Sequence, residues 1–438
     1  MIGAEQWLRS APAHWTRGRL KDLISSSSNG TWGSDPVENG DNVRCIRAAD
    51  FDRVSRRAEL SNAPLRYVEP SSLRQHLLRP GDLVLEKSGG GEKQPVGMAV
   101  LFTGTDAAVS SNFCARIKPS ADVDSRFLSY VFAAAYGQGL TQAAIKQTTG
   151  IQNLDTGAFF ASRWAFPEKE EQRRIADFLD TETARIDGLA AKQSIQSQLL
   201  ADRDVSDLSE VYQNLMQEYG AIRLRHMLVR IEQGWSPQCE DRQVSGREWG
   251  VIKAGCVNGG IFDPAQHKAL PDQVPPRQEY ALKEGDLLMS RASGSTELIG
   301  SIGIVPELEY NLLLCDKVYR LGLDSRLGRT DFVAHMLRSH MVREHIKMGI
   351  SGGEGMANNL PTAVVKDCVL PKASLSVQAS TARKLDEDFS RTARVRNALQ
   401  RSIKLLAERR QALITAAVTG QFDVSTASGR NVSEGVST

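Results

Sequence analysis

Six cysteines in 438 residues, at positions 45, 114, 239, 256, 315 and 368, form no CxxC pair. Their scatter argues against a disulfide framework or a zinc site, and for a reducing, cytoplasmic setting. No stretch approaches 18 uninterrupted apolar residues, so no membrane span is expected. The N-terminus from Met1 to Ser10 lacks the apolar core of a secretory signal. Catalytic signatures are missing too. There is no GxxxxGK[ST] loop, hence no P-loop engine, and no HExxH pair. His335, His340 and His345 fall five apart, which turns each about 140° from the last on a helix, so they share no face. The Asn- or Asp-Pro-Pro-aromatic tetrapeptide of amino-methyltransferases is absent. Net charge is only +2, which says little about nucleic acid. Arginine outnumbers lysine by more than two to one, which suits phosphate and guanine edges, although GC-rich coding bias gives the same excess.

What the chain has is repetition. Leu20 with Lys21-Asp22-Leu23-Ile24 returns as Leu224 with Arg225-His226-Met227-Leu228, about 204 positions later. Pro80-Gly81-Asp82-Leu83-Val84 returns as Glu284-Gly285-Asp286-Leu287-Leu288. Phe166-Pro167 before Gln172 returns as Leu370-Pro371 before Gln378, and Leu179-Asp180 as Leu385-Asp386. Solenoid units have periods of roughly 20–50 residues, so this is a duplicated domain plus helix. Such duplication suits the reading of two sites at a fixed separation.

Within the first copy, Val43 to Ile46, Leu83 to Leu85 and Val96 to Phe102 read as buried strands, Ser88 to Lys93 as a loop, and Phe127 to Tyr136 as a helix. From about Glu168 the texture changes to a proline-free polar run with Ile175, Leu179, Ile186 and Leu189 in seam rhythm. The second copy, Ser374 to Val418, keeps better time through Leu385, Phe389, Thr392, Val395, Leu399, Ile403, Leu406 and Leu413. Each run would extend roughly 65–70 Å at 1.5 Å per residue. Neither seam is apolar enough for an oligomeric coiled coil, so the two helices are expected to pair with each other.

Asp82 followed by Glu86-Lys87 faintly suggests a metal-dependent nuclease. The second copy carries Met289-Ser290-Arg291 at Leu85-Glu86-Lys87, with no carboxylate. Gly81-Asp82 and Gly285-Asp286 are better explained as a strand-entry turn in which Asp bonds the backbone. No catalytic and no metal-binding residue is expected.

The stretch from Phe166 through Glu170-Glu171-Gln172-Arg173-Arg174 to Asp180, continuing to Asp187, resembles the conserved helix of Type I restriction–modification specificity subunits. Leu405 to Val424, with Glu408-Arg409-Arg410 and Thr419-Gly420-Gln421-Phe422, looks like the second conserved helix and its end. Pro12 through Trp15 to Leu20 resembles the lead-in to the first recognition domain. Departures are the loss of an acid before Gln378, the missing Trp between Tyr219 and Leu224, and Gln193 and Gln196 in the first seam.

The resemblance implies an α+β chain: two similar mixed α/β target-recognition domains separated by two long antiparallel coiled-coil helices, an internal pseudo-two-fold repeat. The domains would be 1–166 and 219–371, the spacer helices 167–218 and 372–424, and a disordered tail 425–438. It further implies a non-catalytic subunit that recognises a bipartite asymmetric site on double-stranded DNA. Its partners would be two modification subunits, which bind S-adenosylmethionine and methylate adenine, and restriction subunits using ATP and Mg. A rival reading is an architectural tether with two protein-interaction domains on a coiled-coil ruler.

Base edges are read by a few loop side chains while phosphate contacts set register. Candidates must therefore be polar and must recur, not identically, in both halves. Thr31 and Trp32 answer Trp235 and Ser236, and Arg47 answers Lys253. Lys87, Ser88, Lys93 and Gln94 answer Arg291, Ser293, Ser295 and Thr296. Lys146, Gln147, Thr148, Gln152 and Asn153 answer Lys347, Ser351, Asn358 and Asn359, the preferred specificity segment. For subunit docking the helices offer Glu171, Gln172, Arg174, Phe178 and Arg185, and Glu408, Arg409 and Arg410.

Overall fold

The computed structural model describes residues 6–38, 40–91, 94–148, 151–351 and 358–426. The chain divides into two units, one formed by residues up to Ser194 with those from Gln400 on, the other by Ile195–Leu399.

In the first unit, Ile24–Asn29, Cys114–Pro119, Leu83–Glu86 and Ala99–Leu101 form an antiparallel sheet, with Arg116 opposite Val84. Asn42–Ile46 runs parallel to Ala108–Ser110 and antiparallel to Leu65–Tyr67. Thr16–Arg19 pairs with Arg163–Phe166. The expected strands around residues 43, 84 and 99 are thus present. Helix α1, Ser125–Gly137, begins where Asp124 accepts the N–H groups of Arg126 and Phe127, an N-cap that satisfies orphan donors.

The second unit repeats these strands, without counterparts to Phe51–Asp52 and Arg57–Ala58, which extend the first unit's larger sheet. Leu228–Gln233, Val318–Leu323, Leu287–Ser290 and Ile302–Ile304 form the antiparallel sheet. Trp249–Ile252 runs parallel to Asn311–Leu313 and antiparallel to His267–Ala269, and Ala221–Arg223 pairs with Val369–Pro371. The duplication read from short sequence echoes is therefore a duplication of topology.

Two long helices complete the chain: α2, Lys169–Tyr219, and α4, Leu375–Val418; the helix between them that matches α1 is α3, Thr330–Arg338. Glu170 and Glu171 sit in the first turn of α2, where the helix dipole favours negative charge. Each long helix is locked at its start by a buried glutamine. Gln172 accepts from Asp124 N and donates to Pro167 O, and Gln378 accepts from Arg329 N and donates to Leu327 O and Ala373 O.

In the first unit Ile175, Leu179 and Ile186 join Leu413, Ile414 and Val418 of α4 and Phe127, Leu128 and Val131 of α1 in one core. Each fully buried aliphatic side chain there contributes about 1.5–3 kcal/mol. Phe178 meets Phe422 at 5.5 Å and Asp187 meets Arg410 at 2.9 Å, so these helix portions run antiparallel. In the second unit Leu208, Tyr212 and Leu215 pack with Ala382 and Leu385, and Asp204 is hydrogen bonded by Thr392. The expected intramolecular pairing holds within each unit. Of the expected seam, Ile175, Leu179, Ile186, Leu385 and Leu413 are buried, whereas Leu189 and Val395, nearer the helix middles, are exposed.

Ser88–Gly89, expected in a loop, forms a short strand against Gln152 and Asn153. Of the tail expected to be disordered, 427–438 lies outside the described residues, and Val424–Thr426 closes a 3-10 turn. Among the described residues no helix is long and apolar enough to cross a membrane.

Candidate nucleic-acid interface

Segments far apart in sequence converge on one small sheet in each unit. In the first, Ile145–Thr148 pairs with Ile151–Leu154, placing Lys146 opposite Asn153 and Gln147 opposite Gln152. The same strand pairs with Ser88–Gly89, and the Ser88 hydroxyl donates to Asn153 Oδ1 at 2.6 Å. In the second unit Ser293 lies opposite Asn358 and Ala292 opposite Asn359, while Ser351 exchanges backbone hydrogen bonds of 2.9 Å with Asn359. Ser88 with Asn153 and Ser293 with Asn358 are thus the same place in two copies, 205 positions apart in each case.

Not every candidate side chain points outward. Gln152 is buried and its Oε1 accepts from Val96 N at 3.3 Å, so it braces the sheet. Lys87 donates to Asn29 Oδ1 at 2.7 Å, and burial pulls its ammonium below the ordinary lysine range. Lys146, mostly exposed, pairs with Asp155 at 2.6 Å, and Lys347 with Glu297 at 2.9 Å. Such surface pairs are weak. Arg291 is turned inward, donating to Tyr319 Oη and Asp316 O. Ser295 and Thr296 are exposed, with Ser295 N held by Ser293 Oγ at 3.2 Å. Gln94 is exposed and its backbone pairs with Gly91. Gln147 and Thr148 are placed by their strand alone, and Lys93 lies outside the described residues.

Trp32 and Trp235 sit on a second repeated feature. Arg66 stacks over Trp32 with its guanidinium carbon 4.7 Å from the ring centre, and Arg277 over Trp235 at 4.6 Å. The preceding glycines are forced: a Cβ at Gly30 would overlap the Ser110 carbonyl oxygen, and one at Gly234 that of Leu314. Thr31 N donates to Ser110 O at 2.8 Å, and Ser236 bonds Asp316. Sequence reasoning missed both arginines, because they lie 211 positions apart, out of step with the repeat. Arg47 is engaged by the buried Asp50 through Nε and Nη2 at 2.9 and 2.8 Å, whereas Lys253 only shares the exposed Asp241 with Lys268.

Glu86, on which the faint nuclease reading rests, is enclosed. It is 3% exposed, its Oε2 has no hydrogen-bond partner among the described residues, and burial pushes its carboxyl above the usual range. Ser290 occupies the equivalent place and is equally buried. Asp82 accepts Arg79 N and pairs with Arg116; Asp286 accepts Lys283 N and pairs with Arg320, which is the backbone-bonding turn expected from Gly-Asp. Among the described residues no group of three His, Cys, Asp or Glu side chains could hold a metal ion.

The docking candidates separate into inward and outward groups. Gln172, named for docking, is buried in the clamp described above, so its amide faces the domain core and not a partner. Glu171 accepts from Trp15 Nε1 and contacts His14, both at 2.9 Å. Phe178 is half-covered by Phe422, and Arg410 spans Asp187 and Val54 O. Arg174, Arg185 and Glu408 are exposed, and Arg409 is partly so.

No family model matches the chain. It is 20% identical over 360 residues to the Type I restriction enzyme EcoKI specificity subunit of Escherichia coli strain K12, covering 79% of this chain and 75% of that one. It is 22% identical over 197 residues to the EcoEI specificity subunit of Escherichia coli, covering 45% of this chain and only 33% of that relative's length. A chain from a solved structure of complex assembly and conformational transition in the type I R-M system superposes with a TM-score of 0.69 at 15% identity, covering 94% of this chain and 99% of that one. The resemblance to Type I restriction–modification specificity subunits thus extends beyond the helix motifs to most of the sequence, and the fold is that of a chain from such a system.

Proposed function

We propose that this chain is a non-catalytic specificity subunit that recognises a bipartite, asymmetric target on double-stranded DNA. One observation carries the reading. A short polar sheet stands at the same place in two domains of similar topology: Ser88 and Asn153 recur as Ser293 and Asn358, but the flanking positions differ, Lys146 and Leu154 in one and Ser351 and Asn359 in the other. Similar scaffolds with unequal hydrogen-bonding groups beside a shared Ser–Asn pair would read two unlike half-sites. The domains 1–166 and 219–371 would each take one half.

The helix segments 167–218 and 372–424 would dock two adenine-modification subunits and, through them or beside them, restriction subunits in the cytoplasm. Exposed apolar side chains support this: Leu189 and Leu405 in the first unit, Ile195, Leu199 and Val395 in the second. Contiguous apolar exposure marks interaction surfaces, and Ile195 and Leu199 lie one turn apart on one face of α2. S-adenosylmethionine, ATP and Mg would belong to those partners.

The test is a map of adenine methylation across the host genome with this gene intact and deleted. Loss of one split, asymmetric motif on deletion is expected. A methylation pattern that persists unchanged, from an active neighbouring methyltransferase, would overturn the reading.

A further inference from the structure

A cleft of about 420 Å³ opens in the first unit beside α1, α2, α4 and the turn joining Phe51–Asp52 to Arg57–Ala58. Four arginines line it: Arg56, Arg57, Arg126 and Arg410. Two are neutralised. Arg126 bonds Asp180 at 2.9 Å and Asp177 at 2.7 Å, and Arg410 bonds Asp187 at 2.9 Å. Among the described residues neither Arg56 nor Arg57 has a carboxylate within 4.0 Å, so these two guanidinium groups are left without an ion-pair partner.

Arg56 is unusual twice over. It is 8% exposed; among the described residues its Nε has no acceptor and its one side-chain hydrogen bond goes to the neutral Gln411 Oε1 at 3.0 Å. Burial and the neighbouring Arg410 pull its guanidinium down to about 10. It is also the one non-glycine residue with positive φ, 58°, among the described residues. Bulky side chains avoid that left-handed region.

The second unit shows what the fold needs at this point. The turn closes through Glu59 N to Asp50 O in one copy and Asp263 N to Cys256 O in the other. Three residues before each donor stand Arg56 and Gly260, both left-handed. Tyr130 and His335 match, since each bonds the equivalent aspartate of a long helix, so Ala133 matches Arg338. In the second unit a guanidinium comes from the helix and is spent on the carbonyls of Gly260 and Ile302. In the first it comes from a strained turn, keeps free hydrogen-bonding capacity and lines an open cleft.

We propose that this cleft binds a phosphate group, held by Arg56 and Arg57 between the paired Arg126 and Arg410. A buried arginine with no carboxylate at ion-pair distance calls for an anion, and two guanidinium forks suit the oxygens of phosphate. The proposal does not rest on the DNA reading, because binding is measured on the full chain without DNA.

The experiment is thermal unfolding in inorganic phosphate against chloride at matched ionic strength. Wild type should gain about 5–10 °C in Tm at a hundredfold excess over the dissociation constant. Arg56→Gly places the residue of the second copy in the left-handed position, so it should fold and lose the gain. Arg57→Gln, exposed at the mouth, should reduce the gain without touching the interior. No gain over chloride in wild type, or a gain retained in full by both variants, overturns the proposal. A nucleoside monophosphate that saturates at lower concentration than inorganic phosphate assigns the site to a nucleotide; equal concentrations assign it to free phosphate.

Discussion

The His335 imidazole meets the Asp386 carboxylate at 2.7 Å, where the first half of the chain joins Tyr130 to Asp180 at 2.7 Å. Both pairs tie the short helix of a domain to the long helix that follows it. They differ in how they answer to pH. Burial lowers the His335 pKa below its ordinary 6.5, outweighing Asp386, so the folded state holds it neutral. A depressed histidine favours unfolding wherever the unfolded chain binds the extra proton. Its contribution is therefore fully present above pH 6.5 and lost as pH falls through the lower folded value. Tm should drop between pH 7 and 5, and His335→Tyr, which copies the first half, should flatten that drop. An equal drop in the variant would exclude the pair as its source.

The paired glutamines make a stability prediction. Gln172 satisfies the Asp124 N–H and the Pro167 carbonyl from a buried position, and Gln378 does the same for Arg329, Leu327 and Ala373. Removing the amide strands two or three backbone groups, each costing about 1–3 kcal/mol. Gln172→Ala or Gln378→Ala should each cost about 2–4 kcal/mol in denaturant unfolding. Exposed Arg185→Ala on the same helix should stay within about 0.5 kcal/mol.

Much of this architecture was legible because the chain repeats itself. Gly81-Asp82 and Gly285-Asp286 mark one turn twice, and the glutamines mark two helix starts, so topology followed from local chemistry seen in duplicate. What stayed hidden was tertiary. Gln172 looks like a surface residue of a polar helix, and only the fold turns it inward. Ser88-Gly89 reads as loop because a two-residue strand has no periodicity; its partner lies 65 residues away at Asn153. Arg66 and Arg277 fall out of phase with the repeat, since the intervening loops differ in length, and neither could be found by alignment of the halves.

Glu86 separates a structural role from a catalytic one. Its carboxyl is held above the usual carboxylate range by burial, partly offset by Arg53 at 3.9 Å. A raised acid penalises the folded state above its ordinary pKa, where the unfolded chain is already charged. Glu86→Gln should therefore raise Tm at pH 8 and change little at pH 4. It should also leave the methylation motif and any partner-dependent cleavage intact. Loss of metal-dependent cleavage by the isolated chain on this substitution would instead establish a nuclease.

The two polar sheets should separate affinity from specificity. Lys146 is mostly exposed and held only by a surface pair with Asp155, so its role on DNA would be a phosphate contact. Lys146→Ala in the assembled complex should weaken binding alike for all sequences and lower the salt slope by about 1. Asn358 stands on the equivalent sheet of the other domain, opposite Ser293, with an amide suited to a base edge. Asn358→Ala should cost about 1–3 kcal/mol on the native site and relax one base of one half-site, leaving the other half unchanged. Binding measured across salt concentrations and across single-base variants of the mapped motif checks both. If Asn358→Ala weakened all sequences equally, the sheet would be a backbone contact and base reading would have to move to the Trp32 and Trp235 loops. The asymmetry between the two domains makes the outcome decisive, because only a base-reading residue can alter half of a split motif.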